Sequence, residues 1–140
     1  MSDQHISTDA FNAISKNTLV EHLGIEFIEV SKDSLKATMP VDHRTCQPYG
    51  ILHGGASVAL AETLGSIGAA MHTDPKTQLC VGLEINANHI KSVKKGNEVI
   101  GEAKPIHIGK KTHIWEIRIT NKDEQLVCVS RITMAILDRK

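Results

Sequence analysis

The stretch from Gly55 to about His72, GASVALAETLGSIGAAMH, restricts what this chain can fold into more than any other part of it. It is long enough for a helix, and it is built almost wholly from Ala, Gly, Ser, Leu, Val and Ile, without a polar face. A helix weakly polar on every side is stable only under cover, so the rest of the chain must supply a wrapping layer. Gly65 and Gly68 each cost about 1 kcal/mol of helix propensity relative to Ala, and close packing against a neighbour is the expected compensation. One charged side chain, Glu62, interrupts this stretch. A carboxylate in apolar surroundings is costly unless it is paired, and burial raises its pKa. Glu62 therefore reads either as a structural ion pair or as a functional group. With no other charge on the helix to make a solvated face, function is the better reading. Ser66, four residues on, shares its face and is placed to hydrogen-bond whatever Glu62 acts on.

The wrapping layer is legible as strands. IEFIEVS and LKATM alternate apolar and polar residues about the turn SKDS, which predicts a hairpin. CVGLEINANHIK, NEVIGEAKPIHI, KTHIWEIRIT and LVCVSRITMAIL read as further strands, and the short polar connections SVKKG and NKDEQ predict antiparallel neighbours. Ahead of the hairpin, Phe11, Ile14, Leu19, Val20 and Leu23 recur at helical intervals. Ser7 or Thr8 is a candidate cap for the first helix and Asn17 for a second short turn, and Gly24 ends the pattern. The expected architecture is α+β, an antiparallel sheet curled around one long central helix whose face buries the whole helix. The chain of 140 residues has no repeat or linker, so residues 1–140 are expected to form a single domain.

Composition removes several function classes. Sixteen basic residues balance sixteen acidic ones, so no long-range field gathers polyanions, and nucleic acid is not an expected partner. Cys46, Cys80 and Cys128 are widely spaced with no CxxC pair, which indicates neither a zinc site nor a disulfide framework and suits a reducing compartment. The start, MSDQHISTDA, lacks the basic-then-apolar layout of a signal peptide. The span from Gly54 to Met71 contains Glu62 and is too interrupted to cross a bilayer. A cytoplasmic protein without a membrane partner is the expectation.

The central helix opens with His53-Gly54-Gly55. Free N–H groups at a helix start can hold an oxyanion or polarise a carbonyl, and glycine there lets a ligand approach the backbone. A Gly-Gly pair is by itself equally a turn. Gly54 and Glu62 lie about two turns apart, so they face one substrate only if they come from different subunits or if the substrate spans both. His43, His53 and His89 with Glu62 raise the question of a metal. The helical spacing HExxH is absent, and no metal or cofactor is expected. Cys46 and His53 form a nucleophile–base pair in name, without activating context. Pro40 to Gly50 reads as a loop near the length at which function becomes a reason for it. Lys91, Lys94 and Lys95, with Lys110 and Lys111, read as solvated strand ends unless a phosphorylated ligand passes between the two turns.

Taken together, VDHRTCQPYGILHGGASVALAETLGS followed by VGLEINANHIKSV resembles the branch of the hotdog superfamily that hydrolyses 1,4-dihydroxy-2-naphthoyl-CoA and proofreads enterobactin synthesis. The likeness runs from about Leu19 to Leu137. The resemblance implies an acyl-CoA thioesterase acting on an aromatic, menaquinone-pathway type of substrate, with Glu62 as nucleophile or general base. It implies that the Gly54 N–H polarises the carbonyl, that Gln47 and His53 orient the substrate and its thiolate end, and that Ser66 places water or the acyl group. It further implies a homo-oligomer, a dimer of dimers, with sites between subunits. Coenzyme A would run along Gly82, His89, Ile90, Lys91 and Ser92 and the turn His107, Ile108, Gly109, Lys110, Lys111 and Thr112, where the lysines would pair with phosphates. Lys91 departs from the arginine often found there, and lysine is the weaker bidentate clamp. The glycines Gly65 and Gly68 are expected to leave a flat slot for an aromatic acyl group. Two other readings compete: a hotdog dehydratase of 3-hydroxyacyl thioesters, and a non-catalytic acyl-CoA binding module.

Overall fold

A computed structural model describes residues 8–140; Ser7, one of the two candidate caps, lies outside the described residues. Two short helices, α1 (Thr8–Ile14) and α2 (Leu19–His22), precede the hairpin of β1 (Glu26–Val30) and β2 (Leu35–Val41). The long helix α3 (Gly54–Ala70) follows, and then β3 (Gln78–His89), β4 (Asn97–Ile108), β5 (Thr112–Thr120) and β6 (Leu126–Asp138). All strand pairs are antiparallel, in one sheet of order β1-β2-β4-β5-β6-β3. Asn17 is not the second cap. It takes a left-handed conformation at φ 62°, and Thr18 stands at the N-cap of α2. Gly24, at φ +74°, ends the helical entry as expected.

The strands' alternation carries one face of the sheet onto α3. His113, Trp115, Ile117 and Ile119 of β5 and Cys128, Ser130, Ile132 and Met134 of β6 are all buried, with more exposed residues between them. They meet Leu60, Ala61, Leu64, Gly65, Gly68 and Ala69 of the helix. Burying Leu60 and Leu64 completely contributes about 1.5–3 kcal/mol each. The helical glycines have their compensation here. A Cβ at Gly65 would lie 2.5 Å from Ile132 Cγ2, and one at Gly68 would lie 2.8–3.0 Å from three atoms of the Trp115 ring. The flat acyl slot expected from these glycines is therefore already filled, by Ile132 and Trp115.

Two further expectations are corrected. First, the sheet covers one side of α3 and not the whole helix. Val58, Ala59, Thr63, Ser66 and Ile67 are only partly buried, and Glu62 and Ala70 are exposed. Second, β3 and β4 are consecutive in sequence yet are not neighbours. β4 pairs with β2, while β3 pairs with β6 and forms the edge. Residues 90–96 cross between them, held by the Leu52 N–H on the Val93 carbonyl at 2.8 Å and the Gly96 N–H on the Val41 carbonyl at 2.8 Å. Three strand spacings amount to about 14 Å, and roughly seven extended residues reach about 23 Å, so the crossing is easily made.

At the far end of α3, His72 donates Nε2–H to the Lys32 carbonyl at 2.6 Å, tying the helix to the β1–β2 turn. Its ring lies edge-on to His113 and 5.7 Å from Trp115. His113 is 1% exposed and its Nδ1 has no hydrogen-bond partner among the described residues. Burial pushes its imidazole below the ordinary 6.5, and His72 and His107 push the same way. The unfolded chain therefore binds more protons just below pH 6.5 than the folded one. Stability is full above about that pH and falls as the pH drops toward the folded value. Melting temperatures measured from pH 7.5 to 5 should fall on acidification, and His113→Gln should flatten the slope. An unchanged slope in that variant would remove His113 as its source.

Candidate functional site

The segment between β2 and α3 is ordered by its own polar residues. The Thr45 hydroxyl, 1% exposed with its residue, donates to the Pro40 carbonyl at 2.7 Å and accepts the Asp42 N–H at 3.0 Å. Hydrogen bonds from the Arg44 side chain and backbone hold the Asp42 carboxyl down at about 2. The Gln47 N–H donates to the Ile51 carbonyl, and the Gln47 side-chain oxygen accepts from Tyr49 N–H, which leaves its NH₂ end for other partners. The His53 N–H donates to the Thr45 carbonyl at 2.8 Å. The loop thus delivers the chain to α3 in one defined direction.

His53 caps the helix. Its Nδ1 accepts the Gly55 N–H at 2.8 Å, so the neutral ring carries its proton on Nε2, which becomes an outward-facing donor. The Ala56 and Ser57 N–H groups both donate to the His53 carbonyl. Of the first turn, the Gly54 N–H alone makes no hydrogen bond among the described residues. His89, at the end of β3, lies against it: a Cβ on Gly54 would sit 2.9 Å from His89 Nε2. Glycine at this place lets the His89 ring pack against the start of the helix.

A cleft of about 260 Å³ opens at this helix end, lined by Gly54, Ser57, His89, Ile90, Lys91 and Ser92 together with Ile51, Leu52 and Val127. The fold thus brings Gly54 together with four of the expected coenzyme-binding residues. Ser57 is a lining residue that the sequence reading misses, although its position three residues after Gly54, on the same helical face, is a usable signal.

Glu62 lies elsewhere along the helix. Eight residues at 1.5 Å each put it about 12 Å from Gly54. Its carboxylate is exposed on the side of α3 that the sheet leaves open, close to Gly82 of β3, where a Cβ would stand 3.3 Å from Glu62 Oε1. Gly82 therefore makes room for the carboxylate. Ser66 is on the same open side, half-buried. No group of three His, Cys, Asp or Glu placed to hold a metal ion occurs among the described residues.

The two expected coenzyme segments do not meet within one chain. His89 pairs with Cys128, whereas Thr112 pairs with Ala135 at the opposite end of β6. Seven strand residues separate those registers, about 23 Å. The turn around His107, Ile108, Gly109 and Thr112 is tight, with the Gly109 N–H on the Thr112 carbonyl at 2.9 Å, and its Lys110 and Lys111 line a separate groove with Gln78. The edge strand β3 links the two places, since Gln78 is at its start and His89 at its end.

The chain is similar to known proteins along most of its length. The thioesterase superfamily model matches residues 49–128. The 1,4-dihydroxy-2-naphthoyl-CoA hydrolase of Escherichia coli K12 is 48% identical over 132 residues, covering 94% of this chain and 96% of the relative. The proofreading thioesterase EntH of Cronobacter turicensis is 48% identical over 134 residues, 96% of each chain. Among solved structures, a mutant of the thioesterase PA1618 from Pseudomonas aeruginosa superposes with a TM-score of 0.93 at 43% identity, covering 97% of both chains. The curled six-stranded sheet packed on one helix is the hotdog fold.

Proposed function

Because this chain belongs to the thioesterase superfamily and is an acyl-CoA thioesterase, we propose that Glu62 of one subunit and residues 47–54 of a second act together on one thioester. The observation that carries this reading is the single free N–H at the start of α3, about 12 Å along the helix from the carboxylate. A thioester carbonyl cannot touch both in one chain. The open side of α3 and the unpaired edge of β3 supply the means of bringing in a second copy. An edge strand that pairs with its own copy about a two-fold axis does so antiparallel, with Gln78 of one chain beside the His89 end of the other. The same operation carries the partner's Lys110–Lys111 groove toward Lys91 and Ser92, and so unites the two coenzyme segments that one chain holds apart.

In this arrangement the Gly54 N–H donates to the thioester oxygen and stabilises the oxyanion formed on attack. Gln47, through its NH₂, and His53, through Nε2–H, orient the substrate and its thiolate end. Glu62 either attacks the carbonyl itself, displacing the coenzyme A thiolate and leaving an anhydride that water opens, or takes a proton from the water that attacks. Both routes consume one water and yield the free acid and coenzyme A. Ser66 places the water or acyl group.

The acyl group is proposed to be aromatic, of the hydroxynaphthoyl class used on the way to menaquinone. The support is the 48% identity to a hydrolase of that substrate. The assembly is proposed to be a cytoplasmic dimer of dimers, for which the exposed pair Leu79 and Leu137, 38% and 46% accessible, offers a further apolar surface.

The experiment joins a thiol-reagent assay to sedimentation equilibrium. Free coenzyme A should appear from benzoyl- or hydroxynaphthoyl-CoA at a higher kcat/KM than from acetyl- or palmitoyl-CoA, and only from dimers or larger species. No release of coenzyme A would return the question to a dehydratase or a binding module. A fully active monomer would overturn the shared site, and a preference for acetyl- or palmitoyl-CoA would overturn the aromatic reading alone.

A further inference from the structure

Ser57 is 1% exposed, yet its hydroxyl makes no hydrogen bond among the described residues. Its neighbour Thr63, also in α3, turns its hydroxyl onto the Ala59 carbonyl one helical turn back, which is the usual resting place for a helical hydroxyl. The equivalent acceptor for Ser57, the His53 carbonyl, is already taken by the N–H groups of Ala56 and Ser57. Ser57 instead lines the cleft that holds Gly54, His89 and Lys91. Helical side chains lean toward the N-terminus of their helix, which directs Oγ of Ser57 toward the first turn, where the free Gly54 N–H stands. Its oxygen is not one of the fully enclosed unpartnered polar atoms, which are His113 Nδ1, Trp115 Nε1 and Ser130 Oγ, so it opens onto the cleft, where a ligand can meet it.

We propose that the Ser57 hydroxyl is a second hydrogen-bond donor to the thioester oxygen, beside the Gly54 N–H, so that the oxyanion is held by one backbone donor and one side-chain donor of the same helix turn. This rests on the thioesterase reading and adds to it a group that touches the reacting carbonyl. Two donors from one turn of a rigid helix, enclosed by the His89 ring, are pre-aligned and need no rearrangement as charge develops on the oxygen. The donation strengthens as the carbonyl becomes an oxyanion, so its loss should appear in kcat more than in KM.

The test compares wild type with Ser57→Ala and Ser57→Thr on one aromatic acyl-CoA, with melting temperature measured alongside. Ser57→Ala should lower kcat by roughly 10²-fold, the lower end for loss of one oxyanion donor. KM should stay within a few-fold, and the melting temperature should be little changed, because the hydroxyl makes no hydrogen bond among the described residues. Ser57→Thr, which keeps the hydroxyl, should recover part of the lost kcat. If Ser57→Ala keeps wild-type kcat, or loses kcat only in step with melting temperature, the hydroxyl has no part in catalysis and the proposal falls. A wild-type protein that releases no coenzyme A would instead bring down the thioesterase reading, and this inference with it.

Discussion

Replacing Glu62 by Gln is expected to lower the turnover of an acyl-CoA by about 10²–10⁴-fold and to leave folding unchanged. The lost factor is that of a positioned general base, and a nucleophilic carboxylate costs at least as much. Folding should survive because Glu62 is exposed within its own chain and makes no ion pair or hydrogen bond among the described residues. Gln keeps the volume and the capacity to donate and accept beside Gly82, where the carboxylate now lies. The change therefore removes charge and basicity and little else. Stopped-flow release of coenzyme A, with circular dichroism and sedimentation as controls, reads the effect. Retention of a tenth of wild-type turnover would show that another group activates water. Mixing Glu62→Gln with a variant disabled at Gln47 adds a sharper check: subunits that share a site should recover activity on exchange, because some sites then combine one intact half from each parent.

The second large effect is on stability. Trp115→Ala should destabilise the fold by about 3–5 kcal/mol, as expected for truncating a fully buried Trp. For a chain of this size that corresponds to a fall of roughly 6–20 °C in melting temperature, measured at one protein concentration. Gly68 is the reason the site cannot collapse to refill the space. The ring occupies the groove that the missing Cβ leaves on α3, and the helix has nothing there to move in. The two positions should therefore be coupled. Gly68→Ala in the wild type should destabilise, since its Cβ would lie 2.8–3.0 Å from three ring atoms and overpacking costs about 1–3 kcal/mol, more than the roughly 1 kcal/mol gained in helix propensity. In the Trp115→Ala background the same substitution should stabilise. Equal effects in both backgrounds would mean that Trp115 and Gly68 do not oppose one another as the packing implies.

Several features of the site are legible in the amino-acid sequence. His53, Gly54 and the helical carboxylate stand in one continuous segment, so helix periodicity alone sets their separation and raises the question of whether two subunits, or one long substrate, bring them together. That the proposed coenzyme segments around His89 and Thr112 lie at opposite ends of β6 is not legible there, because it depends on which strands pair. The role of Gly65 and Gly68 is similarly ambiguous. A glycine in a sequence marks a close approach without naming what approaches, and here it is Ile132 and Trp115, residues far along the chain.

The local half of this structure is thus written in the order of its residues. Alternation places the hairpin and the four long strands, apolar composition marks α3 for packing against them, and the absence of any other charge on that helix draws attention to Glu62. These are properties of residues a few positions apart, where backbone geometry sets which side chains share a face. Three further features come from the packed chain alone: β3 leaves β4 and crosses to the far edge, the sheet covers one side of α3 and leaves Glu62 open, and the Ser57 hydroxyl makes no hydrogen bond among the described residues. The physical reason is that a period records that a face is apolar and not which partner will bury it. A connection of about seven residues reaches roughly 23 Å, far enough to join β3 to either neighbour. The choice between them is made by the summed burial of the whole sheet against the helix, which no local pattern contains.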